Sequence, residues 1–214
     1  MATLNPGNLF RQIFPTARRL LVERDINRWC TNDYRRVLVI GAGHDPYRGH
    51  FSNADLYVAL DVIAFAGVTD VVADAVALPI SDNKFDCVIA FEVMEHILNP
   101  IKFIEEAYRV LSPGGMFLLS VPFAFHQHGD PSDYWRPTRY TLEIATSRFS
   151  KSDIFPQGNR LHVISDLITT AFYPRPVFWP LRILNHILVR VFTRSSSTSG
   201  TGTAPSGFLV VARK

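Results

Sequence analysis

The apolar positions of this chain fall into short unbroken runs separated by mixed segments. "RVLVI" (36–40), "DLYVALDV" (55–62), "VTDVVAD" (68–74), "FDCVIAF" (85–91) and "GMFLLSVPF" (115–123) are five to nine residues long and rich in β-branched and aromatic residues. Runs of that length predict strands buried on both faces. "KSDIFPQ" (151–157) and "GFLVVARK" (207–214) are two further strand candidates. Between them, "PIKFIEEAYRVL" (100–111) has helical spacing. Asn99 suits its cap, Pro100 its first turn, and Ile101, Ile104, Tyr108 and Leu111 share a face. "SPGG" (112–115) stops it, and "RYTLEIATSRF" (139–149) predicts another helix. Strands alternating with helices predict an α/β fold with a mostly parallel sheet covered on both faces.

Two segments lie outside that alternation. Residues 8–29, "NLFRQIFPTARRLLVERDINRW", predict a basic helical lead-in, broken or begun at Pro15. Residues 161–194 form a largely apolar insertion before the last strand. In "PLRILNHILVRVFTR" (180–194), Leu181, Leu184, Ile187, Leu188 and Val191 share one helical face. Arg182, His186, Arg190 and Arg194 follow at a spacing of four on the other. Charges and prolines break any apolar run of the ~20 residues that a membrane span needs. The insertion therefore predicts a helix packed on the domain or on a second subunit, with a membrane-surface helix as the alternative. "SSSTSGTGTAPSG" (195–207) is low in complexity and predicts a loop. The whole reads as one domain: a lead-in at 1–35, a core at 36–157, an insertion and loop at 158–206, and a final strand at 207–214.

Composition sharpens this only slightly. The chain has 214 residues and a net charge of +3, distributed unevenly. Residues 1–36 sum to +4, 37–150 to −7 and 151–214 to +6. No basic run is interleaved with aromatics, so no nucleic-acid partner is expected. The basic ends suit an anionic substrate or a peripheral membrane contact through 161–194. Cys30 and Cys87 make no disulfide framework, no Cys/His cluster has zinc spacing, and no metal is expected. The start lacks a secretory leader pattern, and the expected location is cytoplasmic.

The chemistry gathers at the strand ends, where open parallel sheets bind ligands. Gly41 and Gly43 follow the first strand, and Pro46 stands where a dinucleotide fingerprint has its third glycine. Asp61 ends the second strand, where a carboxylate can hold ribose hydroxyls, and Asp74 ends the third. These residues fit a nicotinamide dinucleotide or S-adenosylmethionine equally. A P-loop is excluded, because no Gly-Lys-Ser/Thr follows.

A longer pattern separates the two. "ADAVALPISDNKFDCVIAFEVMEHI" (73–97), followed by "EEAYRVLSPGGMFLLSVP" (105–122), resembles the class I S-adenosylmethionine-dependent methyltransferases of the type 11 small-molecule kind, in order from Val37 to Pro122. The resemblance implies a seven-stranded Rossmann-like sheet with one antiparallel strand, here "GFLVVARK". It implies S-adenosylmethionine as cofactor, with Gly41 and Gly43 at its methionine end and Asp61 on its ribose. Asp74 and Ala75 would flank the adenine, and Phe91 and Glu92 would lie near the cofactor. Glu95 and His96 match a pair common to family members with different substrates, which reads as scaffolding, with a catalytic role as the alternative. Two departures stand out: Val39 replaces an acidic residue, and Asp45 replaces a glycine. If Asp45 points inward, it opposes the cofactor's carboxylate. The rival reading is then a binding module whose turn no longer takes cofactor.

The loop "VPFAFHQHGDPSDYWRPTRY" (121–140) resembles a subgroup associated with glycan and cell-surface polysaccharide biosynthesis. It supplies His126 or His128 as a candidate base, with Asp130 or Asp133 to orient it. Tyr134, Trp135 and Arg136 are candidate substrate contacts. Alternatively, Asp133 and Arg136 pair to brace the loop. The expected function is methyl transfer, at oxygen, to a small-molecule or glycan-like acceptor. A lipid-linked or lipophilic acceptor at a membrane surface is the alternative. The oligomeric state is left open.

Overall fold

A computed structural model describes residues 15–128, 132–171, 176–195 and 204–214. Its centre is a seven-stranded sheet: β1 (Arg36–Ile40), β2 (Leu56–Asp61), β3 (Val71–Val72), β4 (Phe85–Phe91), β5 (Leu111–Pro122), β6 (Lys151–Gln157) and β7 (Gly207–Arg213). The strand order is β3-β2-β1-β4-β5-β7-β6. Strands β1 to β5 pair in parallel, and β7 runs antiparallel between β5 and β6. The expected sheet is present, with "GFLVVARK" as its antiparallel strand.

Alternation along the strands builds two cores, because successive side chains leave opposite faces. Leu38, Ile40, Val88, Ala90, Phe117 and Leu119 face one side. They meet Phe103, Ile104, Ala107 and Val110 of helix α2 (Pro100–Val110) and Leu142 of α3 (Arg139–Ala145). Val37, Val39, Cys87, Ile89, Phe91 and Leu118 face the other, toward Val22, Ile26 and Cys30 from helix α1 (Ala17–Trp29) and its C-cap. Cys87 is a buried apolar group, as its surroundings in the sequence suggested.

Asn99 caps α2 through Lys102 N at 3.1 Å. The apolar stripe of that helix is rotated from the expected one. Ile101 faces solvent, while Phe103, Ala107 and Val110 are fully buried. Phe103 and Val110 offer a stripe at seven-residue spacing with more to bury, and Leu111 already belongs to β5. The lead-in helix begins at Ala17 with Thr16 as its cap; residues 8–14 lie outside the described residues.

The insertion folds into α4 (Arg160–Ala171) and α5 (Trp179–Ser195), which pack on each other and on α1. Of the two faces, it is the polar one that packs inward. Helix α4 buries His162, Ser165, Asp166 and Thr169, while α5 buries Arg182 and Val189. Asn185 donates to Ser165 O at 3.2 Å and to Thr169 Oγ1 at 3.1 Å. The predicted apolar face of Leu181, Leu184, Ile187, Leu188 and Val191 is exposed instead, joined by Leu161, Ile164 and Leu167 of α4. The buried polar residues are specified by α1. Asp166 Oδ1 accepts from Ala17 N at 2.5 Å, and its Oδ2 from Arg18 N at 3.2 Å. That satisfies donors that the first turn of α1 would otherwise leave orphaned. Of the expected loop, residues 196–203 lie outside the described residues.

One glycine is fixed by this packing. A Cβ on Gly207 would collide with the Arg18 guanidinium and lie 2.5 Å from Val121 O. Gly207→Ala is expected to expel Arg18 and to cost about 1–3 kcal/mol of stability. A drop in the urea midpoint at unchanged slope checks it, and an unchanged midpoint contradicts it.

Candidate active site

The strand order reverses between β1 and β4, so the loops that leave them diverge and open a crevice at their carboxyl ends. A cavity of about 670 Å³ lies there. Gly41, Asp61, Asp74, Ala75 and Glu92 line it, among the residues expected to hold cofactor. Gly41 has φ +68°, and a Cβ there would collide with Val93 across the turn. Gly43 has φ +54° and open space around it, so its need is conformational.

Asp61 locks this turn. Its Oδ2 accepts from Gly43 N at 2.9 Å and its Oδ1 from Ile63 N at 3.0 Å. A carboxylate offers about four acceptor positions, so two remain for a ligand. Asp74 Oδ1 accepts from Val76 N at 3.0 Å, which sets the bend carrying buried Ala75 to the cavity wall. Gly43 and Phe91 are not among the cavity-lining residues. Phe91 points to the opposite core, edge-on to Tyr47 with centroids 5.8 Å apart.

The two departures are absorbed. Val39 is fully buried in the core beside α1. Asp45 takes φ +49°, a left-handed conformation that aspartate tolerates better than most residues. Its carboxylate accepts from Tyr57 OH at 2.5 Å and from Arg48 Nε at 3.0 Å. It therefore turns away from the cavity, and the charge conflict does not arise. Burial and the Asp45 carboxylate together push the Tyr57 hydroxyl well above the usual tyrosine range.

Glu92 has a partner that the sequence did not reveal. Arg18 of α1, 2% exposed, donates from Nε to Glu92 Oε2 at 2.9 Å and from Nη2 to Oε1. Ser120 Oγ donates to the same Oε1 at 2.8 Å. Burial opposes the Glu92 charge, but Arg18 outweighs it and holds the carboxyl below its usual range. Arg18 also donates to Gln157 Oε1 at 2.5 Å, and Gln157 Nε2 donates to Asp25 Oδ2 at 2.6 Å. The sequence did carry a signal. Arg18 and Asp25 sit at helical spacing within the stripe of Ala17, Leu21, Val22 and Ile26, and charges in an apolar stripe need partners.

Beyond β5, the loop lies over the 3₁₀ turn Met94–His96. Tyr134 N donates to Glu95 O at 2.7 Å, and Trp135 Nε1 to Ile97 O at 3.0 Å. His96 Nδ1 meets Ser132 O. Asp133 chelates Arg136 with both carboxylate oxygens and accepts from His128 N at 2.9 Å. Burial opposes its charge, yet Arg136 and the His128 amide hold its carboxyl down at about 2. Arg136 also reaches His126 O at 3.1 Å, so Asp133 and Arg136 form the brace weighed from the sequence. Trp135 rests partly exposed on the turn. Tyr134 lines both the main cavity and a smaller one of about 230 Å³. His128 is half-buried and His126 exposed; burial lowers the affinity of both for protons. Asp130 lies outside the described residues.

Glu95 sits beneath this loop, fully buried, with no hydrogen-bond partner for either carboxylate oxygen. Burial, and then the nearby Glu92 charge, push it up to about 8. The folded state therefore binds a proton that the unfolded state releases above the usual glutamate range. Its contribution to stability is full below about pH 4.5 and lost as pH rises through about 8. Glu95→Gln is expected to flatten that part of the stability–pH profile, and urea titrations between pH 5 and 9 measure it. A slope unchanged in the variant contradicts the assignment.

Residues 42–119 match a family model described as "Methyltransferase domain", type 11. A "Probable S-adenosylmethionine-dependent methyltransferase" of Mycolicibacterium smegmatis is 47% identical over 45 residues, which are 21% of this chain and 18% of that protein. The "Ubiquinone/menaquinone biosynthesis C-methyltransferase UbiE" of Cereibacter sphaeroides is 34% identical over 74 residues, 35% and 28% of the two chains. The chain thus spans under a third of these two relatives' length. The crystal structure of a SAM-dependent methyltransferase from Archaeoglobus fulgidus superposes with a TM-score of 0.63 at 17% identity, covering 98% of this chain and 100% of that one. The fold is that of the class I methyltransferases, and residues 42–119 carry the pattern of the methyltransferase domain.

Proposed function

We propose that the protein transfers a methyl group from S-adenosylmethionine to an oxygen of a small-molecule or glycan-like acceptor. The observation that carries this is the 670 Å³ cavity, with Gly41 at its turn and Asp61 on its wall. A cradle that a Cβ would fill, beside a carboxylate with unused lone pairs, fits a nucleoside with an amino-acid tail. When bound, S-adenosylmethionine supplies a methyl group on a positively charged sulfur. Asp61 holds the ribose hydroxyls, and Ala75 and Asp74 flank the base. Gly41 and Gly43 let the backbone approach the methionine end, with Glu92 beside it.

The acceptor enters past Tyr134, from the smaller cavity that Gln127, Trp135 and Arg136 also line. Holding donor and acceptor in line accounts for ~7–11 kcal/mol in well-oriented systems. A base adds about 10²–10⁴-fold when a hydroxyl must lose its proton. Burial keeps His128 and His126 neutral near neutral pH, the form that accepts that proton. Asp133 sets the loop that carries them and stays bound to Arg136.

A second reading has its own support. Leu184 and Ile187 are each 55% exposed and Val191 59%, on a helix whose polar side faces the protein. A continuous apolar surface over two helices, with exposed Arg160 and Arg190, favours a lipid-linked or lipophilic acceptor taken at a membrane surface. No helix among the described residues is long and apolar enough to cross a membrane.

Calorimetric titration tests the first reading. Asp61→Ala is expected to weaken S-adenosylmethionine binding roughly 10- to 100-fold, the worth of charge-assisted hydrogen bonds. Unchanged affinity would remove Asp61 from the site. For the second reading, the protein is expected to pellet with vesicles containing phosphatidylglycerol, and Leu184→Ser with Ile187→Ser to release it. No pelleting at low salt rejects the membrane surface.

A further inference from the structure

Glu95, His96 and His128 are left over from the cofactor cradle. Atoms from all three lie within 4.8 Å of one another. We propose that they form a binding site for a divalent transition-metal ion of the zinc type, at the acceptor end of the main cavity.

Buried carboxylates are satisfied by donors, by counter-charges or by metals. Glu95 has a protein hydrogen bond to neither oxygen, although no part of it reaches solvent. Two imidazole nitrogens instead approach one of those oxygens. His96 Nε2 lies 3.7 Å from Glu95 Oε1, and His128 Nε2 lies 3.8 Å from the same atom. Both separations exceed a direct hydrogen bond. They also exceed, by a few tenths of an ångström, the edge of about 3.3 Å in a tetrahedron with 2.0–2.1 Å metal–ligand bonds. The three side chains close slightly onto an ion.

One of the two histidines has the outer partner of a metal-binding histidine, whose other nitrogen is held by a carbonyl or carboxylate. His96 Nδ1 meets Ser132 O, so its proton sits on Nδ1 and the Nε2 lone pair faces Glu95. His128 Nδ1 lies 3.3 Å from Asp133 Oδ2 but makes no hydrogen bond to it, so His96 alone has its outer nitrogen fixed. The rings stand nearly perpendicular, 87° apart, with both Nε2 atoms converging on the carboxylate. The supports are independent of any ion. Glu95 and His96 sit on the 3₁₀ turn, and the loop bearing His128 is tied to it through Tyr134 N and Trp135 Nε1.

Two imidazoles and one carboxylate suit zinc, iron(II), cobalt or nickel, whereas calcium and magnesium prefer all-oxygen sets. Three protein ligands also leave a coordination position open, as in catalytic sites. His96 lines the main cavity beside Tyr134, so that position faces the path of the acceptor. On the methyl-transfer reading, on which this role rests, a metal there would polarise an acceptor hydroxyl, and His126 rather than His128 would be the base. The metal site itself does not depend on that reading.

The test uses chelator-stripped protein titrated with zinc(II) against a chromophoric chelator, and with cobalt(II) while recording visible absorption. One equivalent is expected to bind, with the intense visible bands of a four-coordinate cobalt centre. Glu95→Gln and His128→Ala are each expected to weaken zinc by roughly tenfold or more. His126→Ala, at the exposed neighbouring histidine, is expected to leave affinity unchanged. Thermal unfolding in chelator shows whether each variant is folded, and His96→Gln provides a further ligand variant if one is not. Absence of stoichiometric binding, or equal losses in His126→Ala and His128→Ala, overturns the proposal. Titrating S-adenosylmethionine in chelator separates the readings. Zinc binding without cofactor binding refutes only the methyl-transfer reading, and the reverse refutes only the metal.

Discussion

The buried ion pair between Arg18 and Glu92 is the constraint on which the rest of the structure depends. It joins the lead-in helix to the end of β4, the strand that flanks the cofactor turn. Burying a guanidinium is costly unless all of it is used. This one reaches Glu92 and Gln157 and lies against Gly207. Each contact imposes a condition. Gly207 must lack a side chain, Gln157 must also reach Asp25, and Asp166 must close the first turn of α1. The polar inner faces of α4 and α5 follow from packing on a helix that is itself held by charge. The same constraint leaves their apolar residues outward.

The loop after β5 obeys a second constraint. A loop of irregular backbone must be rigid if it is to present histidines to a reacting group. Asp133 and Arg136 supply that rigidity by chelation, and Trp135 and Tyr134 tie the loop to the turn below. Glu95, read from the sequence as scaffolding, has a buried carboxyl group with no hydrogen bond to either oxygen.

How much was legible depended on whether the controlling interaction was local. The strands, the Asn99 cap, the glycine turn and Asp61 follow from short runs and fixed spacings, and they stand where the chain pattern puts them. The antiparallel last strand came from the family resemblance rather than from periodicity. The α2 stripe was misread by one turn position, because Ile101 and Phe103 compete for the inner face and only packing chooses. The polarity of α5 was left open: periodicity finds two faces but does not say which one meets the protein. The Asp45 side chain was ambiguous until Tyr57, twelve residues on, appeared beside it. Arg18 lies 74 residues from Glu92, a separation at which spacing carries no information.

The most direct measurement is a double-mutant cycle on Arg18→Met and Glu92→Gln, reading both unfolding free energy and S-adenosylmethionine affinity. Breaking a buried pair from one side costs about 3–5 kcal/mol, because it strands the other charge. The account predicts that each single variant loses stability and affinity, and that the double variant recovers much of both. Additive losses would mean that the two charges act independently. The lead-in helix would then be a neighbour of the site rather than part of it.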